Sequence, residues 1–456
     1  MKVTILATMW DSNFLAIFTA QLAKQFAKVT IQGIQVSVFV PKNAYIDQWG
    51  MSDAENCGVT IVKAKKQPGL PHPHDWLYFP PEDLKTDIVI GIGPQLGRIA
   101  QHWKERYQCK NIQIAGHELS NIFVRGIDER IEDDIKELSI NADVPLAIGP
   151  RTTDYLSAFL RPEGKQVFNL TPGIISEFSN LTVDGTKDGT RFRVLLVGGD
   201  NPQDFQEEGL KLAARTMAEL DDKSYHLIFV GAGKGTEQQF ANFLHQCGVH
   251  KRQVTIRSLP KTEREWKKLL CEVDLAIMPS GDKEFGLEAL LALSAGLPVL
   301  VHEESGFGEA LRVVPFGSLA IVDSDDASEW ASRIEKIRET DRKTRLKQAA
   351  ELRSNYDEKY SWEKQLILLV AMMFSMVFGM VFISSFHLLW FYRKFPLIIK
   401  TKLLGMLFSV RSLKMAKVPS FTSECLVFII LIKIIVVWKI LFMVTLKSSI
   451  YKYIPF

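Results

Sequence analysis

The chain has 456 residues, of which 47% are hydrophobic and 23% charged, with 55 Lys+Arg against 52 Asp+Glu and a formal charge of +3. That composition leaves room for two or three domains with an ample core, and it excludes a disordered chain, a collagen-like chain and a disulfide scaffold. The charge is unevenly placed: residues 393–456 hold eleven Lys/Arg and one acid, so the first 392 residues are seven charges negative, which argues against nucleic acid as a partner.

The N-terminal run Met1–Thr8 is too short for a signal core and lacks a small-residue cleavage site, so it reads as a first buried strand. Short apolar runs follow at Val36–Val40, Val59–Val62, Ile88–Ile92, Ile112–Ala115 and Pro145–Ile148, with helical stretches such as Leu15–Ala27 and Leu96–Arg106 between them. Continuously apolar strands alternating with helices predict a parallel sheet covered on both faces. The polar segment Asn180–Thr190 reads as a linker. The rhythm then restarts at Phe192–Val197, His226–Val230, Val254–Ile256, Leu275–Met278, Val299–Val301 and Leu319–Val322. The predicted class is therefore α/β. Two Rossmann-like doubly wound domains, 1–180 and 190–350, face a cleft at the carboxyl ends of their strands.

Residues 351–365, with Tyr356, Tyr360 and Trp362, are expected to form either a closing helix packed on the neighbouring domain or a solvated amphipathic helix. Residues 366–456 form a hydrophobic, basic tail. Leu366–Tyr392 contains no Lys, Arg, Asp or Glu, and Leu426–Leu446 is a second apolar run, so one or two transmembrane helices and membrane association are expectations for this tail. Its Phe, Ile, Leu, Lys and Met are equally what A/T-rich non-coding sequence would encode. Five scattered cysteines without a Cys-x-x-Cys pair point to reduced thiols in a cytoplasmic body rather than a zinc site. His72 and His74 flank Pro73 with no further ligands nearby, so no metal is expected there.

The most specific stretch is Lys283-Glu-Phe-Gly-Leu-Glu-Ala-Leu-Leu-Ala-Leu-Ser-Ala-Gly-Leu-Pro-Val-Leu-Val301. It follows a strand and a Pro-Ser-Gly-Asp loop, and Phe285-Gly286-Leu287 would open a helix whose free N–H groups and positive dipole end form an anion site. Gly231-Ala-Gly233, Asp274–Ser280 and Ser305-Gly-Phe-Gly308 accompany it. Over residues 1–365 the chain resembles the retaining glycosyltransferases of the GT-B fold, family 4.

The resemblance implies transfer of a hexose from a nucleotide diphosphate sugar to an unknown acceptor, with retention and without metal or cofactor. Fixed donors at the helix N-terminus would stabilise the charge that builds on the leaving phosphate. It implies His117 and Glu284 as catalytic residues, and Asn13, Gly199, Gly233, Leu259, Phe285, Gly286, Leu287 and Glu288 as donor-binding residues.

The family pattern also has two glutamates either side of a seven-residue gap, the first on the sugar and the second on the ribose. Here those positions are Lys283 and Leu291. An Arg and a Lys after the first strand of the second domain become Gly199 and Glu208, and a Gly-Gly pair after strand one becomes Asn13-Phe14. A catalytically impaired GT-B scaffold or binding module is therefore the alternative. A sugar-nucleotide 2-epimerase shares the same architecture.

Overall fold

A computed structural model of the chain describes residues 1–378 apart from 11–13, 30–33, 45, 47, 117–128, 180, 182–189, 199–207, 221 and 282–284. Among these residues the chain forms two parallel sheets with helices on both faces.

The first lobe runs β1 Lys2–Leu6, α1 Phe14–Lys28, β2 Gln35–Val40, α2 Gln48–Asn56, β3 Val59–Lys63, β4 Ile88–Ile92, α3 Gly93–Tyr107, β5 Lys110–Ala115, α4 Glu129–Asn141, β6 Val144–Ile148, α5 Gly149–Leu160 and β7 Phe168–Leu170. Its seven strands lie in the order 3-2-1-4-5-6-7, all parallel. Every residue of β4 (Ile-Val-Ile-Gly-Ile) and of β6 (Val-Pro-Leu-Ala-Ile) is buried, as a sheet covered on both faces requires.

The second lobe runs β8 Phe192–Val197, α6 Glu208–Glu219, β9 Tyr225–Val230, α7 Glu237–Gln246, β10 Val254–Arg257, α8 Glu263–Glu272, β11 Leu275–Met278, α9 Leu287–Ser294, β12 Val299–His302, α10 Gly306–Arg312, β13 Ile321–Val322, α11 Ala327–Glu339, α12 Arg342–Lys359 and α13 Trp362–Phe378. Its six strands lie in the order 10-9-8-11-12-13, also all parallel. Gly231 sits where β8 and β9 end so close together that any Cβ would collide with the carbonyl of Gly198, so only glycine fits. At the other end of this sheet, Asp274 accepts the Arg193 N–H at 2.9 Å and pairs with the buried Arg342, which ties α12 to β8 and β11.

The two lobes share one interior. The largest apolar cluster passes from Val3, Ile5 and Val38 of the first sheet to Ile228, Ala276 and Val301 of the second. Much of the joint is made by the return of the chain across it. Tyr356 at the end of α12 donates its hydroxyl to the Pro172 carbonyl at 2.8 Å, and Trp362 at the start of α13 donates its ring N–H to the Ile174 carbonyl at 3.1 Å. Tyr360, between them, donates to the Ala310 carbonyl at 3.1 Å.

The expectation of a membrane span beginning at Leu366 is corrected over its described part. Leu366, Leu369, Val370 and Met373 of α13 are buried in the body beside α1, and the Trp362 ring packs 6.1 Å from that of Phe18. Among the described residues no helix is long and apolar enough to cross a membrane. A helix apolar on most faces satisfies the same composition when it closes a protein core. The remainder of that segment and the run 426–446 lie outside the described residues.

Candidate functional site

The carboxyl ends of β6 and β11 meet across the lobe joint, each followed by a glycine in the left-handed region. After β6, Gly149 has φ +80 and Pro150 follows in the first turn of α5; after β11, Gly286 has φ +86, ψ +51 and opens α9. A Cβ on Gly149 would sit 2.5 Å from the Phe285 ring, and one on Gly286 would sit 2.5 Å from Met278 Sδ. Phe285 is thus lodged in a notch on the opposite lobe, 6% exposed, with its ring edge-on to Phe307 at 5.8 Å.

The caps separate these helix starts from the purely structural ones. Thr262 caps α8 and Ser305 caps α10 through side-chain oxygens that accept the Glu265 and Gly308 N–H groups at 3.2 and 2.9 Å. At α3, α5, α7 and α9 the N-cap residue itself makes no side-chain hydrogen bond to the first turn. First-turn N–H groups without a side-chain cap, beside a residue with no Cβ, are what an anion at a helix N-terminus needs. Glu288, in the first turn of α9, places a carboxylate at the same positive end of the dipole.

Gly286, Leu287 and Glu288 come together at this turn, with Leu287 and Glu288 half-buried. Gly233 lies at the end of β9, where its carbonyl accepts the Thr236 N–H at 3.0 Å, and Leu259 follows β10, partly buried against the main core. Asn13, His117, Gly199 and Glu284 lie outside the described residues, as does Lys283.

Leu291 is 1% exposed. It lines a narrow crevice between the lobes with Ile17, Phe18, Gln21, Pro172, Ile175, Leu287 and Trp362. The position that carries the ribose-binding glutamate in the resembled family therefore faces an apolar helix of the opposite lobe.

Sequence reasoning missed two features. One is the Gly149 notch. Its signal was present in the repeated Ile-Gly-Pro of Ile92-Gly93-Pro94 and Ile148-Gly149-Pro150, an extended residue, a glycine and a first-turn proline at a strand-to-helix junction. The other is the buried ion cluster beside the crevice. Lys24 of α1, 4% exposed, pairs with Glu177 Oε1 at 2.7 Å and with Asp53. Burial disfavours its charge, but the two carboxylates outweigh that and raise the ammonium above its ordinary value. Burial likewise pushes the Glu177 carboxyl up, and the charge and hydrogen bond of Lys24 outweigh it, so the net shift is downward. No periodicity links residues 24, 53 and 177, so this cluster had no sequence signal.

The model of the family 4 glycosyltransferases in conflict systems matches residues 4–367. The chain belongs to this family. Among curated glycosyltransferases, it is 27% identical over 174 residues to the D-inositol 3-phosphate glycosyltransferase of Rhodococcus erythropolis, 37% of this chain and 38% of that one. The enzyme of the same name from Corynebacterium diphtheriae is 26% identical over 219 residues, 45% of this chain and 50% of that one. The chain thus spans half or less of the length of these curated relatives.

In architecture it is similar to the sucrose-phosphate synthase of Thermosynechococcus elongatus, with TM-score 0.60 and 16% identity over 83% of this chain and 99% of that one. It is also similar to Anabaena HepE, solved with UDP and glucose, with TM-score 0.57 and 14% identity over 81% of this chain and 99% of that one. The family 4 chain described here is a GT-B protein: two Rossmann-like lobes whose strand ends face one another.

Proposed function

We propose that the chain is a glycosyltransferase that binds a nucleotide diphosphate sugar with its diphosphate at the N-terminus of α9. It transfers the hexose, with retention, to an acceptor on the first lobe. The observation that carries this is the Gly286 turn, a left-handed glycine opening a helix without a side-chain cap at the end of β11. The N–H groups that follow it would stabilise the charge left on the departing phosphate, and no metal is required for that. Glu284 and His117 are assigned to the sugar and the acceptor side. Asn13, Gly199, Gly233, Leu259 and Phe285 complete the donor contacts with Leu287 and Glu288.

Two charge-assisted hydrogen bonds from the turn supply about 3–6 kcal/mol, a dissociation constant between about 0.04 and 6 mM. The basic pair that would tighten it is replaced by Gly199 and Glu208. Calorimetric titration of the full chain with millimolar UDP-, GDP- and ADP-sugars, followed by assay for released nucleotide, tests the reading. Heat with one nucleotide class and its release in the presence of an acceptor are expected. No heat with any of them refutes the assignment.

The buried, apolar setting of Leu291 favours a second reading, a non-catalytic GT-B scaffold. Under it, nucleotide release stays at background while the fold is intact.

A further inference from the structure

The short helix α9 is fastened at both ends. Its N-terminal end follows Phe285, whose ring lies in the Gly149 notch of the first lobe. At its C-terminal end Ser294, fully buried, accepts the Ile175 N–H at 3.0 Å through Oγ and donates to the Leu290 carbonyl at 2.7 Å. Arg353 of α12 donates from one nitrogen to the carbonyls of Ser179 and Ser294, both at 3.1 Å. Ile175 and Ser179 belong to the segment by which the chain crosses from the first lobe to the second. The same crossing is held from the first lobe by Lys24 on Glu177, and from α13 by Gln365, whose amide exchanges two hydrogen bonds with the Thr171 backbone, each 2.9 Å.

We infer that Ser294 and Arg353 are positioning residues that make α9 a strut between the Gly286 turn and the interlobe crossing, so that an anion on the turn and the angle between the lobes are coupled. The eight residues of α9 span about 12 Å, and a helix this short transmits displacement along its axis without bending. A diphosphate drawn to the N-terminal turn pulls on Ile175 and Ser179 through Ser294. Opening of the lobes in turn draws Phe285 from its notch. This rests on the donor reading above for the identity of the anion, but the mechanical link itself exists without ligand.

Hydrogen–deuterium exchange of the full chain, with and without 10 mM UDP, tests it in the wild type, Ser294→Ala and Arg353→Met. In the wild type, UDP should slow exchange both at Leu287–Leu290 and at residues 171–179. Without ligand, either variant should exchange about tenfold faster at Gly149–Thr153, at the far end of α9 from the altered bond. With UDP, protection should then appear at Leu287–Leu290 but no longer reach 171–179.

A purely local role would quicken exchange near Ile175 alone, and that result overturns the inference. So does UDP protection that still reaches 171–179 in both variants. If UDP protects nothing in the wild type, the donor reading fails, and the unliganded comparison at Gly149–Thr153 decides the strut by itself. Exchange in β8 and β9 reports whether each variant is folded.

Discussion

Leu291→Glu introduces the carboxylate that the resembled family pattern carries at this position, and the packing around Leu291 says that it will destabilise the fold rather than tighten nucleotide binding. Leu291 is 1% exposed against Ile17, Phe18, Ile175 and Trp362. Removing its side chain from that contact forfeits about 1.5–3 kcal/mol. A carboxyl held in such a crevice has its pKa raised by about 3–4 units, and each unit is worth about 1.4 kcal/mol, so the ionised form costs about 4–5.5 kcal/mol more. The sum at pH 8, about 6–8 kcal/mol, rivals the whole stability of a typical domain.

The sign of the pH dependence follows from the direction of that shift. A carboxyl raised above its unfolded value is penalised least below that value, near pH 4; the penalty grows as pH rises from there and levels off above the folded pKa. At pH 5, where the unfolded carboxyl is already mostly ionised, the variant should lose the packing share plus about 1 kcal/mol, about 2.5–4 kcal/mol in all. Urea unfolding at pH 5 and pH 8, with a nucleotide titration at both, reads this directly. A variant as stable as wild type at pH 8 that also gains nucleotide affinity would refute the reasoning, because position 291 would then face an open ribose pocket.

Gly286→Ala forces a left-handed Ala and brings a Cβ to 2.5 Å from Met278 Sδ; a loss of about 2–4 kcal/mol in chemical unfolding is expected, with nucleotide binding abolished. Lys24→Met leaves Glu177 and Asp53 partly buried without their cation, for a loss of about 3–5 kcal/mol at neutral pH. Because the folded pKa of Glu177 is lowered and that of Lys24 raised, the pair stabilises above the unfolded carboxylate range and below the unfolded ammonium range. That stability fades as pH falls through the Glu177 value or rises through the Lys24 value. The variant should flatten both limbs of the stability–pH curve, and an unchanged acid limb would contradict the pairing. Trp362→Ala removes a side chain 5% exposed and its bond to Ile174; thermal melting should show a loss of about 3–5 kcal/mol, and a loss under 1 kcal/mol would mean that α13 does not hold the lobes.

The fold was legible because parallel strands buried on both faces must be short apolar runs, and Ile88–Ile92, Phe192–Val197 and Leu275–Met278 coincide with β4, β8 and β11 to the residue. Legibility fails where burial is one-sided or brief. The edge strand β7 is three residues with Asn169 at its centre, too little for a periodic signal. Leu319, expected to start the last strand, belongs to the 3-10 turn Gly317–Ala320 and is 61% exposed. The start of the tail was misread for the opposite reason. A helix that buries Leu366, Leu369, Val370 and Met373 against another lobe is as apolar as one facing lipid.

The site was legible in part, and the division has a physical cause. Gly286 announces itself because a left-handed turn before a helix leaves a local mark in the chain. The facts that weigh on catalysis are pairings between distant segments: Phe285 with Gly149, and Leu291 with Ile17 and Phe18. A lone Leu in place of Glu would leave the polar neighbours of a ribose site buried and unpaired, at about 1–3 kcal/mol each. None of the crevice residues carries such an orphan atom among the described residues, and Gln21 there, with its amide nitrogen turned to Glu177, donates to Oε2 at 2.8 Å and accepts from Gln25 Nε2 at 2.9 Å. Leu291 and its surroundings thus form one apolar surface that packs between the lobes. The Gly286 turn keeps the elements of an anion cradle. A chain built this way would hold a diphosphate more firmly than it recognises the ribose behind it. UDP and its 2′-deoxy counterpart should therefore bind with affinities within about threefold of each other, under 1 kcal/mol apart. A tenfold preference for UDP would show that some other residue has taken over the ribose.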